Sequence, residues 1–206
     1  MPHSALADAA SIILLRGTAD EVQVLMGKRA ANAAFMPSKF VFPGGRVDRE
    51  DAQVRAPQIM SAQCRSALMA QVKTDNFAAE ILPEALQNAV LRELHEETGL
   101  QLARPHAAAL RFVFRAITPQ GRPRRFDARF FLANAADFDG DYAAFSHASG
   151  ELADLQFLPL SRARSLNLPF ITQVILAEIS QNLTTNTADG VPFFDNSGPS
   201  PCFSRL

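Results

Sequence analysis

Short apolar runs alternate with one long amphipathic segment along the chain, and this pattern predicts a protein with mixed α and β structure. Two β-rich runs, ASIILLRG and VQVLMGKR, flank residues 17–20 and predict a hairpin. KFVFPGG follows as a third strand, ended by a proline and two glycines. A second hairpin is predicted for ALRFVFRAIT and RRFDARFFLA around the turn PQGRP, and LADLQFLPL is the last predicted strand.

Helical spacing predicts the remaining elements. The clearest helix begins at Pro83, which suits a first helical turn because its missing N–H costs nothing there, and ends at Gly99. Residues 49–83 show helical spacing without a β signal, which indicates a helical insertion. PFITQVILAEISQNL predicts a last amphipathic helix. Residues 183–206, rich in Gly, Pro, Asn and Ser, are expected to form an irregular C-terminal tail.

Composition narrows the class of protein. A length of 206 residues with 48% hydrophobic content predicts one domain over residues 1–206. The net charge of −1 argues against a long nucleic acid or an anionic membrane as partner, because both require a basic surplus. Two cysteines form no disulfide framework, and no apolar run is long enough for a membrane span. We therefore expect a cytoplasmic protein; Ser204-Arg205-Leu206 resembles a peroxisomal address, which matters only in a eukaryotic source.

The helix that ends at Gly99 carries a dense acidic face. Glu93 and Glu97 lie one turn apart, with Glu96 beside them and Arg92 as the nearest cation. Like charges at this spacing repel each other, and clustered carboxylates without His or Cys favour Mg²⁺ or Mn²⁺. The alternative, an ordinary exposed acidic helix end, is equally compatible with the spacing alone.

The surrounding residues extend this face into a longer motif. The string E-x7-R-E-L-H-E-E-T-G-L resembles the Nudix box, G-x5-E-x7-R-E-U-x-E-E-x-G-U, in which U is aliphatic. The matching positions are Glu84, Arg92, Glu93, Leu94, Glu96, Glu97, Gly99 and Leu100. The resemblance implies the Nudix fold, an α/β (α+β) arrangement in which a mixed β-sheet is sandwiched between helices. One position departs from it: Ala78 stands where the box has Gly, and the matching glycine is Gly45, so the insertion splits the box.

The resemblance also implies a role for each matching residue. Glu93, Glu96 and Glu97 are expected to bind the metal, with Glu84 as an outer ligand. Glu93 is also expected to position or deprotonate the attacking water, and Arg92 to hold the carboxylates in place. The turn at Gly44 and Gly45 is expected to shape the substrate loop. A further catalytic glutamate before the last predicted strand is assigned to Glu151, with Asp154 as the second choice.

The second predicted hairpin carries arginines on one face of each strand. Period-2 alternation places Arg115 on that face of the first strand, and Arg125 and Arg129 on that of the second. Guanidinium groups suit phosphate oxygens, so some of the three are predicted to contact a diphosphate, with Asp127 orienting one of them. A solvent-facing ladder of Arg–Asp pairs is the alternative.

These residues together predict an enzyme. The resemblance implies metal-dependent hydrolysis of a diphosphate that joins a nucleoside to another group, by attack of water on phosphorus. The split box is closest to the branch that includes the mammalian peroxisomal coenzyme A diphosphatase, so CoA or acyl-CoA is preferred over ADP-ribose, NADH or dinucleotides. The segment before FPGG, however, departs from the CoA pattern. The alternatives are a catalytically silent ligand-sensing module and an RNA 5′-end pyrophosphohydrolase. Because Nudix proteins often form homodimers, a homodimer is also an expected state.

Overall fold

A nine-stranded mixed sheet forms the centre of the protein in a computed structural model, which describes residues 5–18, 21–33, 35–185 and 190–206. Its main strand order is β11-β10-β6-β7-β1-β2-β3, with β4 paired to β1 and β9 paired to β2. A separate small sheet pairs β5 with β8. The strands are β1 (Leu6–Arg16), β2 (Gln23–Arg29), β3 (Phe40–Val41), β4 (Gly44–Arg46), β5 (Gln101–Leu102), β6 (Arg111–Ile117), β7 (Arg125–Asn134), β8 (Phe138–Asp139), β9 (Leu152–Pro159), β10 (Pro192–Asp195) and β11 (Cys202–Arg205).

Strand β1 lies at the centre of the sheet because it is apolar on both faces. Ile12, Ile13 and Leu14 are fully buried, and β1 runs parallel to β7 along ten residue pairs. A strand that is buried on both faces typically has a continuous run of apolar residues, such as the IILL of β1. Both predicted hairpins are confirmed, since β1 pairs antiparallel with β2 and β6 pairs antiparallel with β7.

Helices cover both faces of the sheet, as the resemblance implies. They are α1 (Ala62–Met69), α2 (Leu82–Thr98), α3 (Leu160–Ala163) and α4 (Phe170–Thr185). Helix α2 packs Leu86, Val90 and Leu94 against one face, and α4 packs Ile175 and Leu176 against the other. The predicted fold class is therefore confirmed. None of the helices in the described part of the chain has the length and apolar character needed to span a bilayer.

The predicted helical insertion at 49–83 is only partly helical. It contains a 3₁₀ turn at Arg49–Ala52 and the single short helix α1, and the segments around them are loops. Helix α2 begins at Leu82, so the end of the insertion lies slightly earlier than predicted. Ile59, Met60 and Leu68 are almost completely buried against α2 and the sheet. The insertion is thus packed on the domain by an apolar face of its own.

The prediction of an irregular tail over residues 183–206 is wrong for residues 183–185, 192–195 and 202–205, and residues 186–189 lie outside the described part of the chain. Helix α4 continues to Thr185, and β10 and β11 add two strands to the edge of the sheet. Phe193 is 1% exposed because β10 pairs in parallel with β6 and places its ring over Arg115. The sequence carried little signal for this strand, because it is only four residues long, begins with a proline and ends with Asp195. Proline is acceptable at the first position of a strand.

Candidate metal and catalytic site

Two glutamates of α2 lie against the glycine turn of β4. Glu97 is 2% exposed, and its Oε2 atom accepts a hydrogen bond of 2.8 Å from the backbone N–H of Gly44. Gly44 has a φ of +148°, and a Cβ there would overlap the backbone of β1. A Cβ on Gly45 would overlap the Glu93 carboxylate. Gly44 is therefore required for the close approach of β4 to β1, and Gly45 for the contact of the backbone with the Glu93 carboxylate.

The two carboxylates are electrostatically strained. Burial, the largest cause, raises the pKa of Glu97 to about 8, and the charges of Glu93 and Glu151 add to this. Burial also raises the pKa of Glu93, although the neighbouring Arg92 opposes that shift. Buried like charges of this kind favour either a bound proton or a bound cation at neutral pH.

Arg92 connects the acidic face to the start of the insertion. Its Nη1 atom lies 2.9 Å from Glu93 and 3.3 Å from Glu96, as the sequence predicted. Its Nε and Nη2 atoms lie 2.9 and 3.0 Å from the two carboxylate oxygens of Asp51. These contacts raise the pKa of Arg92 further above its usual range, with Asp51 as the largest cause. The arginine is held in one orientation by a planar, bidentate pair.

Asp51 is a site residue that the sequence analysis did not identify. It lies in the 3₁₀ turn after β4, where its Oδ2 atom also accepts a 2.8 Å hydrogen bond from the backbone of Asp48. Counted from Gly45, the G-x5-E spacing of the box falls on position 51, where this chain has Asp instead of Glu. The sequence analysis missed this signal because it took Glu84, on the far side of the insertion, as the first acidic residue of the box.

Substitution of Asp51 by Asn is expected to reduce the free energy of unfolding by about 1.5–3 kcal/mol, because it removes a charge-assisted, bidentate partner of Arg92. Urea unfolding followed by circular dichroism measures the change. Asp48→Asn is the matched control, since the Asp48 side chain is 41% exposed and lies 3.8 Å from Arg92. Equal losses in the two variants would contradict this assignment.

The assignment of Glu84 as an outer metal ligand is wrong. Its carboxylate pairs instead with Arg65 of α1 at 3.0 Å. Nine residues separate Glu84 from Glu93, which corresponds to about 13 Å along a helix at 1.5 Å per residue. Glu84 therefore ties α2 to the insertion and does not join the acidic face.

Glu151 and Arg29 complete the charged surroundings of the site. The loop before β9 lies against the end of α2, where the Ser149 N–H donates to Glu96 O at 2.8 Å. The charge of Glu151 in this loop raises the pKa of both Glu93 and Glu97, and its catalytic role stays a prediction. Its partner is Arg29 at the end of β2, at 3.3 Å. The positive charge of Arg29 also lowers the pKa of Glu97. The sequence analysis missed this arginine, because only the pairing of β2 with β9 brings it beside residues 151 and 152.

Two of the three predicted phosphate-binding arginines cannot reach a substrate. Arg115 and Arg129 are 1% and 0% exposed, and both pair with Asp127, which is itself fully buried. Arg125 donates to Thr118 O and Pro119 O and so closes its own hairpin. The prediction of diphosphate contact is wrong for Arg115 and Arg129, and so is the alternative of a solvent-facing ladder. The insertion covers this face of the sheet.

The chemistry of the site fits a hard divalent cation. Within the described ranges, no group of three or more His, Cys, Asp or Glu side chains is arranged so that it could hold a metal ion. Mg²⁺ does not require such a group, since it commonly binds one or two carboxylates and keeps waters or substrate phosphates as its other ligands. Glu93 and Glu97 provide two adjacent carboxylates. Glu96, 52% exposed and paired with Arg92, lies at the rim.

Comparison with known structures identifies the fold. A NUDIX hydrolase from Alicyclobacillus acidocaldarius is 21% identical, with a TM-score of 0.62 over 89% of this chain and 95% of that one. A MutT NUDIX hydrolase from Burkholderia pseudomallei is 17% identical, with a TM-score of 0.53 over 85% and 99%. The NUDIX domain of Shewanella oneidensis NrtR, solved with ADP ribose, is 15% identical, with a TM-score of 0.51 over 88% and 90%.

The chain therefore has the Nudix fold. No protein-family model matches it, and no curated protein sequence is significantly similar to it. The assignment to the coenzyme A branch of the family stays a prediction from the sequence.

Proposed function

We propose that the protein is a divalent-metal-dependent hydrolase that cleaves the diphosphate of a nucleoside diphosphate joined to another group. The observation that carries this proposal is a pair of adjacent carboxylates, the buried Glu97 and the partly buried Glu93, held against the Gly44–Gly45 turn. Placing two like charges side by side away from water costs stability. The fold nevertheless holds them in place with Gly44, Gly45 and the bidentate pair of Arg92 with Asp51. A purely structural role would not explain this loss of stability. Binding of a cation that also contacts a diphosphate explains it.

Each side chain then has a defined task. When bound, Mg²⁺ or Mn²⁺ neutralises charge on the phosphate oxygens and helps to activate water. Glu97 is fixed by the Gly44 N–H and presents its carboxylate to the cation. Glu93 accepts the proton of the attacking water, for which a pKa raised above that of an ordinary glutamate is favourable near neutral pH. Arg92 keeps Glu93 oriented through the 2.9 Å ion pair.

Arg29 is the arginine best placed to bind the diphosphate. Its side chain is 19% exposed, and its one ion pair within the described residues is with the half-exposed Glu151. A phosphate oxygen can replace or share that partner through the planar guanidinium. Arg29 therefore takes the role that the sequence analysis gave to the hairpin arginines.

Replacement of Arg29 by Ala is expected to raise KM about tenfold to a hundredfold, the effect of losing one charge-assisted hydrogen bond to phosphate. Steady-state kinetics at saturating Mg²⁺ measures the change. Arg16→Ala is the control, because Arg16 pairs with Gln23 at the opposite end of β2 from Arg29 and stacks on Phe157. A KM that is the same in Arg29→Ala and wild type would contradict the role of Arg29.

The substrate is tested with a panel of compounds. CoA is preferred from the sequence resemblance, and ADP-ribose is included because a protein of the same fold binds it. NADH, diadenosine polyphosphates and capped RNA complete the panel, each with Mg²⁺ or Mn²⁺ and with EDTA as the metal-free control. Cleavage at the diphosphate, abolished by EDTA, is the expected result. Tight binding without turnover of any compound would favour a ligand-sensing module and overturn the proposal.

A further inference from the structure

A polar cleft of about 390 Å³ lies beside the carboxylate site. One wall consists of residues 46–50, which follow the glycine turn, and the other consists of residues 75–77 of the insertion. Ala7 and Asp8 of β1 form its floor. This volume falls within the range of about 300–1,000 Å³ that is typical of small-molecule pockets.

The wall contributed by the insertion is held in place by a buried acid. Asp8 is 1% exposed, and its Oδ2 atom accepts hydrogen bonds from Thr74 at 2.7 Å and Asn76 at 2.9 Å. Asn76 also donates to Leu6 O at 3.2 Å. The side chain of Asn76 is thus fixed before any ligand arrives. A wall that needs no ordering on binding lowers the entropic cost of association.

The cleft is linked to the acidic face through neighbouring residues of β4. Gly45 touches Glu93, and Arg46, the next residue of β4, lines the cleft. The carbonyl oxygen of Arg46 accepts a 3.1 Å hydrogen bond from Arg92, which also contacts Glu93. Because one strand residue spans about 3.3 Å, a group attached to a phosphate at Glu93 can extend into the cleft.

Acceptor groups dominate the surface of the cleft. Glu50 and Asp75 are exposed carboxylates, and the half-exposed Asp48 is paired with Arg46 at 2.9 Å. The exposed Arg49 is the second cation of the lining, and Phe77 adds a partly exposed ring. A surface on which carboxylates outnumber cations favours hydroxyl and amide N–H donors over further anionic groups. An aromatic ring adds an apolar contact for a carbon chain or sugar face.

We propose that this cleft binds the group beyond the cleaved diphosphate, and that it selects an uncharged arm rich in hydroxyl or amide N–H donors. This inference rests on the proposed function and assigns the insertion a part in substrate choice. Two arms share the required chemistry: the terminal ribose of ADP-ribose, and the pantetheine arm of CoA with its hydroxyl and two amides. Asp75 and Glu50 act as acceptors for these donors.

The inference is tested with Asp75→Asn and Glu50→Gln, separately and together. Both keep the side-chain shape and remove only the charged acceptor. The control is Asp139→Asn in β8, whose side chain is 70% exposed and pairs with Arg104. The substrates are ADP-ribose, CoA and the β-methyl ester of ADP, which has the diphosphate but no arm. We expect KM for ADP-ribose or for CoA to rise about tenfold in the double variant, with kcat unchanged, because the arm loses its charged hydrogen-bond acceptors.

The comparison between substrates decides the result. Unchanged kinetics on the methyl ester, together with a raised KM for an arm-bearing substrate, supports the cleft, and the substrate affected identifies the arm. Equal changes on the ester, or no change on any substrate, would overturn the inference.

If wild-type protein cleaves none of these compounds, the proposed function fails, and the cleft is then tested by binding alone. ADP-ribose and CoA are titrated in turn into ¹⁵N-labelled protein. Shifts of the Asp75 and Asn76 amides that are lost in Asp75→Asn support the cleft. Unshifted amides at residues 46–50 and 75–77 overturn it.

Discussion

Glu97→Gln is expected to lower kcat by about 10²–10⁴-fold while making the metal-free protein more stable. The loss follows from removing one buried carboxylate of a catalytic pair, an effect of the size seen for positioned acid–base groups. The gain in stability follows because Gln keeps the side-chain shape and the hydrogen bond from Gly44. It removes a negative charge beside Glu93 from a residue that is only 2% exposed. A substitution that lowers activity but raises stability indicates a residue that serves function at the expense of stability.

The stability gain has a defined pH dependence. The pKa of Glu97 is about 8 in the folded protein, raised from 4.5 mainly by burial. The folded state therefore binds a proton more tightly than the unfolded state, so the contribution of Glu97 is favourable below pH 4.5 and is lost as pH rises towards 8. Gln cannot titrate. The difference in Tm between Glu97→Gln and wild type is thus expected to grow from pH 5 to pH 8 in EDTA.

Thermal unfolding and kinetics of the same preparations test both parts. Mg²⁺ is expected to raise the Tm of wild type at pH 8 and to have little effect on Glu97→Gln, because binding to the folded state stabilises it by mass action. Glu84→Gln is the matched control, since the Glu84 carboxylate pairs with Arg65 away from the site, and its kcat is expected to stay close to that of wild type. An active Glu97→Gln enzyme would contradict the catalytic assignment.

Asp127→Asn is expected to cost about 3–5 kcal/mol of unfolding free energy, the largest stability effect predicted for this chain. Asp127 pairs with Arg115 at 2.8 and 2.7 Å and with Arg129 at 3.2 Å, and all three side chains are at most 1% exposed. Burial already lowers the pKa of Arg129, which shows how poorly this position solvates a cation. Without Asp127, two guanidinium groups would share the single charge of Asp8.

The expected damage is localised beneath the insertion. Arg115 donates to Ala70 O and Gln71 O, so the loop that follows α1 is docked on this charged cluster. Limited proteolysis of Asp127→Asn is expected to cut within residues 70–77 before the rest of the domain. Asp139→Asn, which breaks an exposed pair, is the control and is expected to change stability by at most about 1 kcal/mol.

A milder variant keeps this prediction testable if Asp127→Asn does not fold. Thr74→Val removes one hydrogen bond to Asp8 and is expected to cost about 1–3 kcal/mol, with the same first cleavage site. Wild-type stability and wild-type cleavage in both variants would contradict the role of the cluster.

The sequence by itself determined the elements whose signals are local. Helix α2 could be predicted because Pro83, Gly99 and the apolar positions Leu86, Val90 and Leu94 act within one helix. Fixed spacing in that helix was also enough to bring Glu93 and Glu97 together, since residues four apart share a face. Both hairpins followed from alternation and turn residues for the same reason.

Only the tertiary structure decided which faces are covered and which distant residues meet. Alternation correctly placed Arg115 and Arg129 on one face of the sheet, but it carries no information about a layer packed on that face. The insertion buries them, pairs Glu84 with Arg65 and brings Asp51 to Arg92 across more than forty positions of the chain. Contacts of this kind depend on packing between elements that no local pattern records. The cleft beside Glu93 is formed by the same packing.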